Sequence, residues 1–191
     1  ATDDRFILVP DTLVAIQELA RHHRRSFRVP VIAITGSNGK TTTKELAHAV
    51  LRTSLKTLAT EGNLNNHIGV PLTLLKLKAD HQIAIIEMGA SKPGDIAELC
   101  AIAEPTHGLI TNVGKAHLEG FGGLDGVIRT KTELYGWLRG HEGTAFVHGD
   151  DPLLMEKSAG LTRMTYGSKE DMDTCGHAVE SEEPCMELVF E

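Results

Sequence analysis

Gly36-Ser37-Asn38-Gly39-Lys40-Thr41 stands directly after an apolar run, Val31-Ile32-Ala33-Ile34, and directly before a stretch of helical character from Thr41 to about Arg52. Strand, glycine turn and helix in that order bring backbone N–H groups and a helix N-terminus around one point, which suits a phosphate. Lys40 adds a point charge and Thr41 a hydroxyl for a magnesium ion. Gly36, Ser37, Asn38, Gly39, Lys40, Thr41 and Thr42 are the candidate phosphate-binding residues. The longer standard form of the loop needs glycine at position 34, where Ile34 stands, so the context carries this reading and the pattern alone does not.

Glu87 ends a second apolar run, Ile83-Ala84-Ile85-Ile86. A carboxylate at the tip of a strand in the same sheet is a hard oxygen ligand for a nucleotide-bound magnesium. His117 lies in a glycine-punctuated loop after a third apolar strand around Leu109-Ile110, and spacing alone leaves a metal or substrate role and a structural role equally open. Cys175, His177 and Cys185 lack the paired Cys-x-x-Cys spacing of a zinc site and are read as ordinary residues.

These groups need a scaffold, and the pattern supplies one. Helical spacing is read over 11–24, 41–52, 71–77, 93–103, 124–138 and 152–158, and strands over 31–34, 56–59, 83–87, 109–110 and 144–147. Apolar strands alternating with helices imply right-handed crossovers and an α/β fold, a mostly parallel, doubly wound sheet covered on both faces. Ligands then bind beyond the carboxyl ends of the strands, where all three candidates fall. The segment after Tyr166 reads as weaker strand pieces such as 186–190, which suggests a domain truncated at its C-terminus.

Composition removes several classes. The chain has 191 residues, 41% apolar, with 19 Lys+Arg against 26 Asp+Glu. Residues 169–191 carry the whole net charge of −7, and the rest is neutral. A neutral body with 4% aromatics argues against a nucleic-acid partner. The basic cluster Arg21, His22, His23, Arg24, Arg25 and Arg28 reads as a solvated helix end and linker. Apolar runs stay far short of the roughly 20 residues of a membrane span, and the first residues show no secretory signal. Three cysteines in no paired framework point to a reducing, cytoplasmic setting. The residues alone therefore lead to a magnesium-dependent nucleotide-binding α/β domain, with the reaction undetermined.

Taken in order, VIAITGSNGKTTTKEL (31–46), EGNLNNHIGVPLTLL (61–75), IIEMGASKPGDIAEL (85–99) and HGLITNVGKAHLEGFG (107–122) resemble the Mur ligase family, as do VPDTLVAIQELA (9–20), TKTELYGWL (130–138) and HGDDPLL (148–154). The shortened loop with Ile34 is itself the family's form. The resemblance implies that Lys40 and the Gly36–Gly39 backbone hold the ATP phosphates, that Thr41 and Glu87 bind a first Mg2+, and that His117 binds a second. It matches Lys131 to a lysine commonly carbamylated in the family, and makes Lys40, His117 and Lys131 the catalytic candidates. It places Asn63, Asn65 and Asn66 on a polar loop near the γ-phosphate and acceptor. Position 148 is His where relatives usually carry Asn near the adenine.

The implied reaction belongs to peptidoglycan precursor synthesis. ATP phosphorylates the terminal carboxylate of a UDP-muramoyl tripeptide, and the amine of D-Ala-D-Ala attacks the acyl phosphate. The same resemblance implies residues 1–29 as a remnant helix and linker of a UDP-substrate domain, 30–191 as the ATP-binding central domain, an absent C-terminal domain, a monomer, and a fragment inactive alone. Alternatives are a sister Mur or folylpolyglutamate-type ligase and a non-catalytic nucleotide-binding regulator.

Overall fold

The computed structural model describes residues 6–114, 118–179 and 187–190. In chain order the elements are α1 (Thr12–Arg25), β1 (Val31–Thr35), α2 (Lys40–Leu51), β2 (Thr57–Ala59), α3 (Gly69–Leu74), β3 (Ile83–Glu87), α4 (Asp95–Ala103), β4 (His107–Ile110) and α5 (Leu118–Phe121). They continue with α6 (Leu124–Gly140), β5 (Thr144–His148), α7 (Pro152–Lys157), β6 (Thr162–Gly167), β7 (Thr174–Val179) and β8 (Glu187–Phe190). The strands form one sheet in the order β2-β3-β1-β4-β5-β6-β7-β8. Pairing is parallel from β2 through β7, and β8 runs antiparallel to β7.

The order fixes where a ligand goes. From β1 the chain crosses to β2 and β3 on one side, then back past β1 to β4, β5 and β6 on the other. The loops leaving β1 and its neighbours therefore part at the carboxyl ends of the central strands, opening the crevice of a doubly wound sheet.

Right-handed crossovers put helices that lead in opposite directions on opposite faces. The core accordingly lies on one face, where Val31, Ala33, Ala84, Ile86, Ile110, Ala145 and Val147 meet Leu74, Leu99, Leu134, Leu138 and Leu154 from α3, α4, α6 and α7. The alternate residues Ile34 and Ile85 are buried on the other face, where α2 runs over β1, β2 and β3. Full cover of both faces was the expectation from the apolar strands, and it fails over part of the sheet. Among the described residues that second face carries a helix only over β1–β3, so Leu109 and Phe146 stay partly exposed and Met164 is half exposed.

α1 starts where Asp11 accepts hydrogen bonds from the N–H groups of Leu13 and Val14 at 2.8 and 3.0 Å. It packs on α3 and α4, with Ala20 inside the core. At the basic end of this helix the solvated reading holds for His22, Arg25 and Arg28, which are exposed, and fails at Arg24. Arg24 is buried and donates to the carbonyls of Ala103, Glu104 and Phe27, and Arg25 pairs with Glu104. These guanidiniums occupy the carbonyl end of α4, which a helix leaves without internal partners and with partial negative charge.

Candidate functional site

The loop after β1 needs its glycines. Gly36 has φ 142°, and a Cβ there would lie 2.0 Å from Thr111 Oγ1. Gly39, at φ 77°, starts α2 with no side-chain cap, so the first N–H groups of the helix stay available to an anion. The loop is also held from outside. Thr111 Oγ1 and Asn112 Nδ2 donate to Asn38 O at 2.6 and 3.0 Å, and Asn38 N donates to Asn112 Oδ1 at 3.2 Å. Gly114 N donates to Ser37 Oγ at 2.9 Å. The β4 loop thus acts as a mould for the phosphate loop.

Lys40 Nζ donates to the carbonyls of Gly36 and Ser37 at 2.9 and 3.3 Å, which uses two of its three donors. Burial moves its pKa below the ordinary lysine value, against the opposing pull of Glu87. Thr41 Oγ1 lies 3.2 Å from Glu87 Oε1, joining the start of α2 to the tip of β3. Glu87 is 1% exposed and also accepts from Asn65 Nδ2 at 2.7 Å. Its second oxygen, Oε2, is buried without a hydrogen-bond partner. A buried, half-satisfied carboxylate beside a hydroxyl costs free energy unless a cation completes it, so this pair fits a small hard cation such as magnesium.

The polar loop before α3 reaches the same place. Gly89 N donates to Asn65 O at 2.7 Å, and a Cβ on Gly89 would meet Asn65 Oδ1 at 2.8 Å. Lys44, fully buried on α2, donates to Thr60 O at 2.7 Å and holds the start of this loop. Asn65 and Asn66 line the crevice, whereas Asn63 is exposed and outside its lining. The crevice is a cavity of about 300 Å3 whose wall includes Lys40, Lys131, Asn65, Asn66, His67 and Asp95. Thr42 lies one residue further into α2, exposed, and borders a separate shallow surface hollow with Glu45 and Leu46.

Lys131, on α6, is 3% exposed, with its ammonium 5.6 Å from the centroid of the Phe121 ring. Burial, helped by the charge of Lys40, pushes its pKa down to about 8. Two lysines with lowered proton affinity on one side of the cavity form a poorly solvated patch suited to an anionic ligand. The reading of His117 falls outside the described residues, as does any pairing of Cys185.

A second cavity of about 280 Å3 opens further along the same rim, lined by His148, Asp150, Tyr166 and Ser168 among others. His148 stacks on Tyr166 with centroids 5.4 Å apart, and Asp150 Oδ2 accepts from Ser168 N at 2.7 Å. β6, which carries Tyr166, has no apolar run, and the sequence pattern passes over it. Thr111, Asn112, His67 and Asp95 also escaped the sequence reading, because polar loop residues carry no periodic signal.

Comparison with known proteins places this fold among ligases. Residues 34–190 match the family model described as the Mur ligase middle domain. The UDP-N-acetylmuramoyl-tripeptide--D-alanyl-D-alanine ligase of Bacillus subtilis is 43% identical over 162 residues, 85% of this chain and 35% of that protein. The ligase of the same description from Synechocystis is 47% identical over 163 residues, 84% of this chain and 36% of that protein. The crystal structure of MurF ligase from Thermotoga maritima in complex with ADP superposes with a TM-score of 0.88 at 34% identity, covering all of this chain and 44% of that one. The chain thus spans about a third of the length of the curated relatives it matches. An α/β sheet matched over residues 34–190 by a single family model, with relatives more than 40% identical over most of its length, makes this chain a member of the Mur ligase family.

Proposed function

We propose that this chain is the nucleotide-binding part of an ATP-dependent ligase that joins D-alanyl-D-alanine to UDP-N-acetylmuramoyl-tripeptide in peptidoglycan precursor synthesis. The observation that carries the reading is that Lys40 and Lys131 share one cavity, with the Thr41–Glu87 pair tied to its wall through Asn65. The names of the Bacillus subtilis and Synechocystis relatives supply the substrates, and the ADP complex of the Thermotoga maritima structure supplies the nucleotide.

Each residue then has a task. The loop N–H groups and Lys40 take the β- and γ-phosphates, and the His148–Tyr166 cavity takes the base. Thr41 and Glu87 would hold magnesium, which neutralises charge developing on the transferring phosphoryl group. Asn65 fixes the Glu87 carboxylate and, with Asn66, faces the acceptor side. The phosphoryl group passes to the terminal carboxylate of the tripeptide, giving an acyl phosphate. The dipeptide amine then adds to the acyl carbon and expels phosphate as the C–N bond forms. His117 is assigned to the second magnesium and the site of action to the cytoplasm.

Lys131 serves best as a carbamate. The ammonium first loses one proton; the neutral amine nitrogen then adds to CO2, an N–C bond forms as a C=O π bond opens, and a second proton leaves, so the side chain changes from +1 to −1, which removes its repulsion from Lys40 and supports a metal. With its pKa near 8, Lys131 is largely ammonium below pH 7 and largely free amine above pH 9. Carbamate therefore rises with pH through that window. The check is a 13C signal from labelled bicarbonate that grows between pH 7 and 9 and vanishes in Lys131→Arg. A signal untouched by that substitution removes the role.

The function is tested by ATP turnover in a protein extended to the length of the relatives. ADP release is expected only when muramoyl tripeptide and D-Ala-D-Ala are both present. Full turnover with a different amino acid acceptor would assign a sister ligase. No response to any acceptor would leave a nucleotide-binding regulator.

A further inference from the structure

Beyond the phosphate loop, one wall of the cavity holds a second group of ligating atoms. His67 Nε2, Asp95 Oδ1 and Glu98 Oε2 lie within 4.8 Å of one another. Asp95 opens α4 and is 3% exposed. Its Oδ2 is fully engaged, accepting from Ser91 N, Ser91 Oγ and Lys92 N at 2.8, 3.2 and 3.0 Å. Its Oδ1 has no hydrogen-bond partner, although it is buried and lies only 3.8 Å from His67 Nε2. His67 Nε2 is likewise buried without a hydrogen bond, despite standing 2.8 Å from Glu98 Oε2. A simple histidine–carboxylate ion pair would align the N–H with an oxygen. Here a nitrogen and a deeply buried oxygen both lack such a partner and lie 3.8 Å apart.

We propose that His67, Asp95 and Glu98 form a divalent cation site in the wall of the crevice, separate from the Thr41–Glu87 pair. One imidazole nitrogen and two carboxylate oxygens favour a borderline ion, Zn2+ or Co2+, over Mg2+, which prefers oxygen ligands throughout. Three protein ligands leave a coordination position open, and His67 and Asp95 both line the cavity, so that position faces an incoming anionic oxygen. The N-terminus of α4 places partial positive charge nearby. Glu133 from α6 accepts from Gly94 N and Ala97 N at 2.8 and 2.9 Å and occupies that helix end, so the carboxylates outweigh it. The site does not depend on the ligase reading, because it is built from this chain's own side chains and requires no nucleotide.

The test is a titration of the nucleotide-free, chelator-treated chain with Co2+ and Zn2+, followed by the Co2+ d–d absorption and by calorimetry. One equivalent should bind in the wild type, and affinity should fall at least tenfold in both His67→Ala and Glu98→Gln. Neither of these side chains is buried as Asp95 is, and circular dichroism would verify that both variants fold. Cys175→Ser should leave the titration unchanged. Binding that survives His67→Ala and Glu98→Gln, or no binding at all, overturns the site. Protection of the trio by an ammonium-bearing dipeptide without any metal response also overturns it.

Discussion

Lys40→Ala is expected to weaken binding of Mg-ATP to this chain by roughly 10²- to 10³-fold, the loss typical of removing one preorganised charge or donor from a water-excluded site. The side chain is half-buried and rests on the carbonyls of Gly36 and Ser37, so its charge is already directed along the loop. Alanine would leave those carbonyls without the ammonium and leave the backbone N–H groups as the sole phosphate contacts. Lys40→Arg should recover little, because the planar guanidinium is larger and cannot reproduce a compact point charge in a pocket shaped by Thr111 and Asn112. Calorimetric titration reads both results. An unchanged affinity in Lys40→Ala would show that the nucleotide lies elsewhere.

Glu87→Gln carries two expected effects of opposite sign. The amide keeps the size of the side chain and an acceptor for Asn65 and Thr41, but it removes the negative charge that a magnesium ion needs. Nucleotide affinity in magnesium should then fall to the level that wild type shows in chelator, a loss of about tenfold or more for a ligand at hydrogen-bond distance from a Mg2+ partner. Without ligands the variant should be more stable, because Oε2 of Glu87 is a buried carboxyl oxygen with no partner. Relieving such a group is worth about 1–3 kcal/mol, readable from urea denaturation. Stabilisation together with loss of the magnesium effect is the signature of a residue retained for function. Destabilisation with intact magnesium dependence would make Glu87 a structural residue.

Much of this arrangement was legible in the residues. β1 and β3 announced themselves as uninterrupted apolar runs because both of their faces are covered, and Gly36–Thr41 between β1 and α2 marked the phosphate loop by context despite Ile34. The partly exposed face of β4–β6 and the polar β6 were not legible, since one-sided burial leaves no apolar run. Arg24 illustrates a different limit. Its type and its basic neighbours suggest solvent, but the carbonyls that bury it belong to the end of α4, about 80 positions further along the chain. Thr111 and Asn112 are of the same kind: their hydrogen bonds to Asn38 span 73 and 74 positions. Asn63 and Asn65 sit two residues apart in one loop, and only the docking of Asn65 on Gly89 separates an exposed side chain from one that touches Glu87. Lys131 looks like any helix lysine until the fold buries it beside Lys40 and Phe121.

In the proposed site the phosphate loop and the β3 carboxylate are joined through a cation beside the crevice. A crystal structure of the chain with Mn2+ and a non-hydrolysable ATP analogue tests this link most directly through the anomalous signal of manganese. A peak is expected roughly 2.0–2.3 Å from both Glu87 Oε2 and Thr41 Oγ1, with the β- and γ-phosphates against the N-terminus of α2. Manganese and triphosphate bound together elsewhere, with Glu87 still facing an empty pocket, would contradict it.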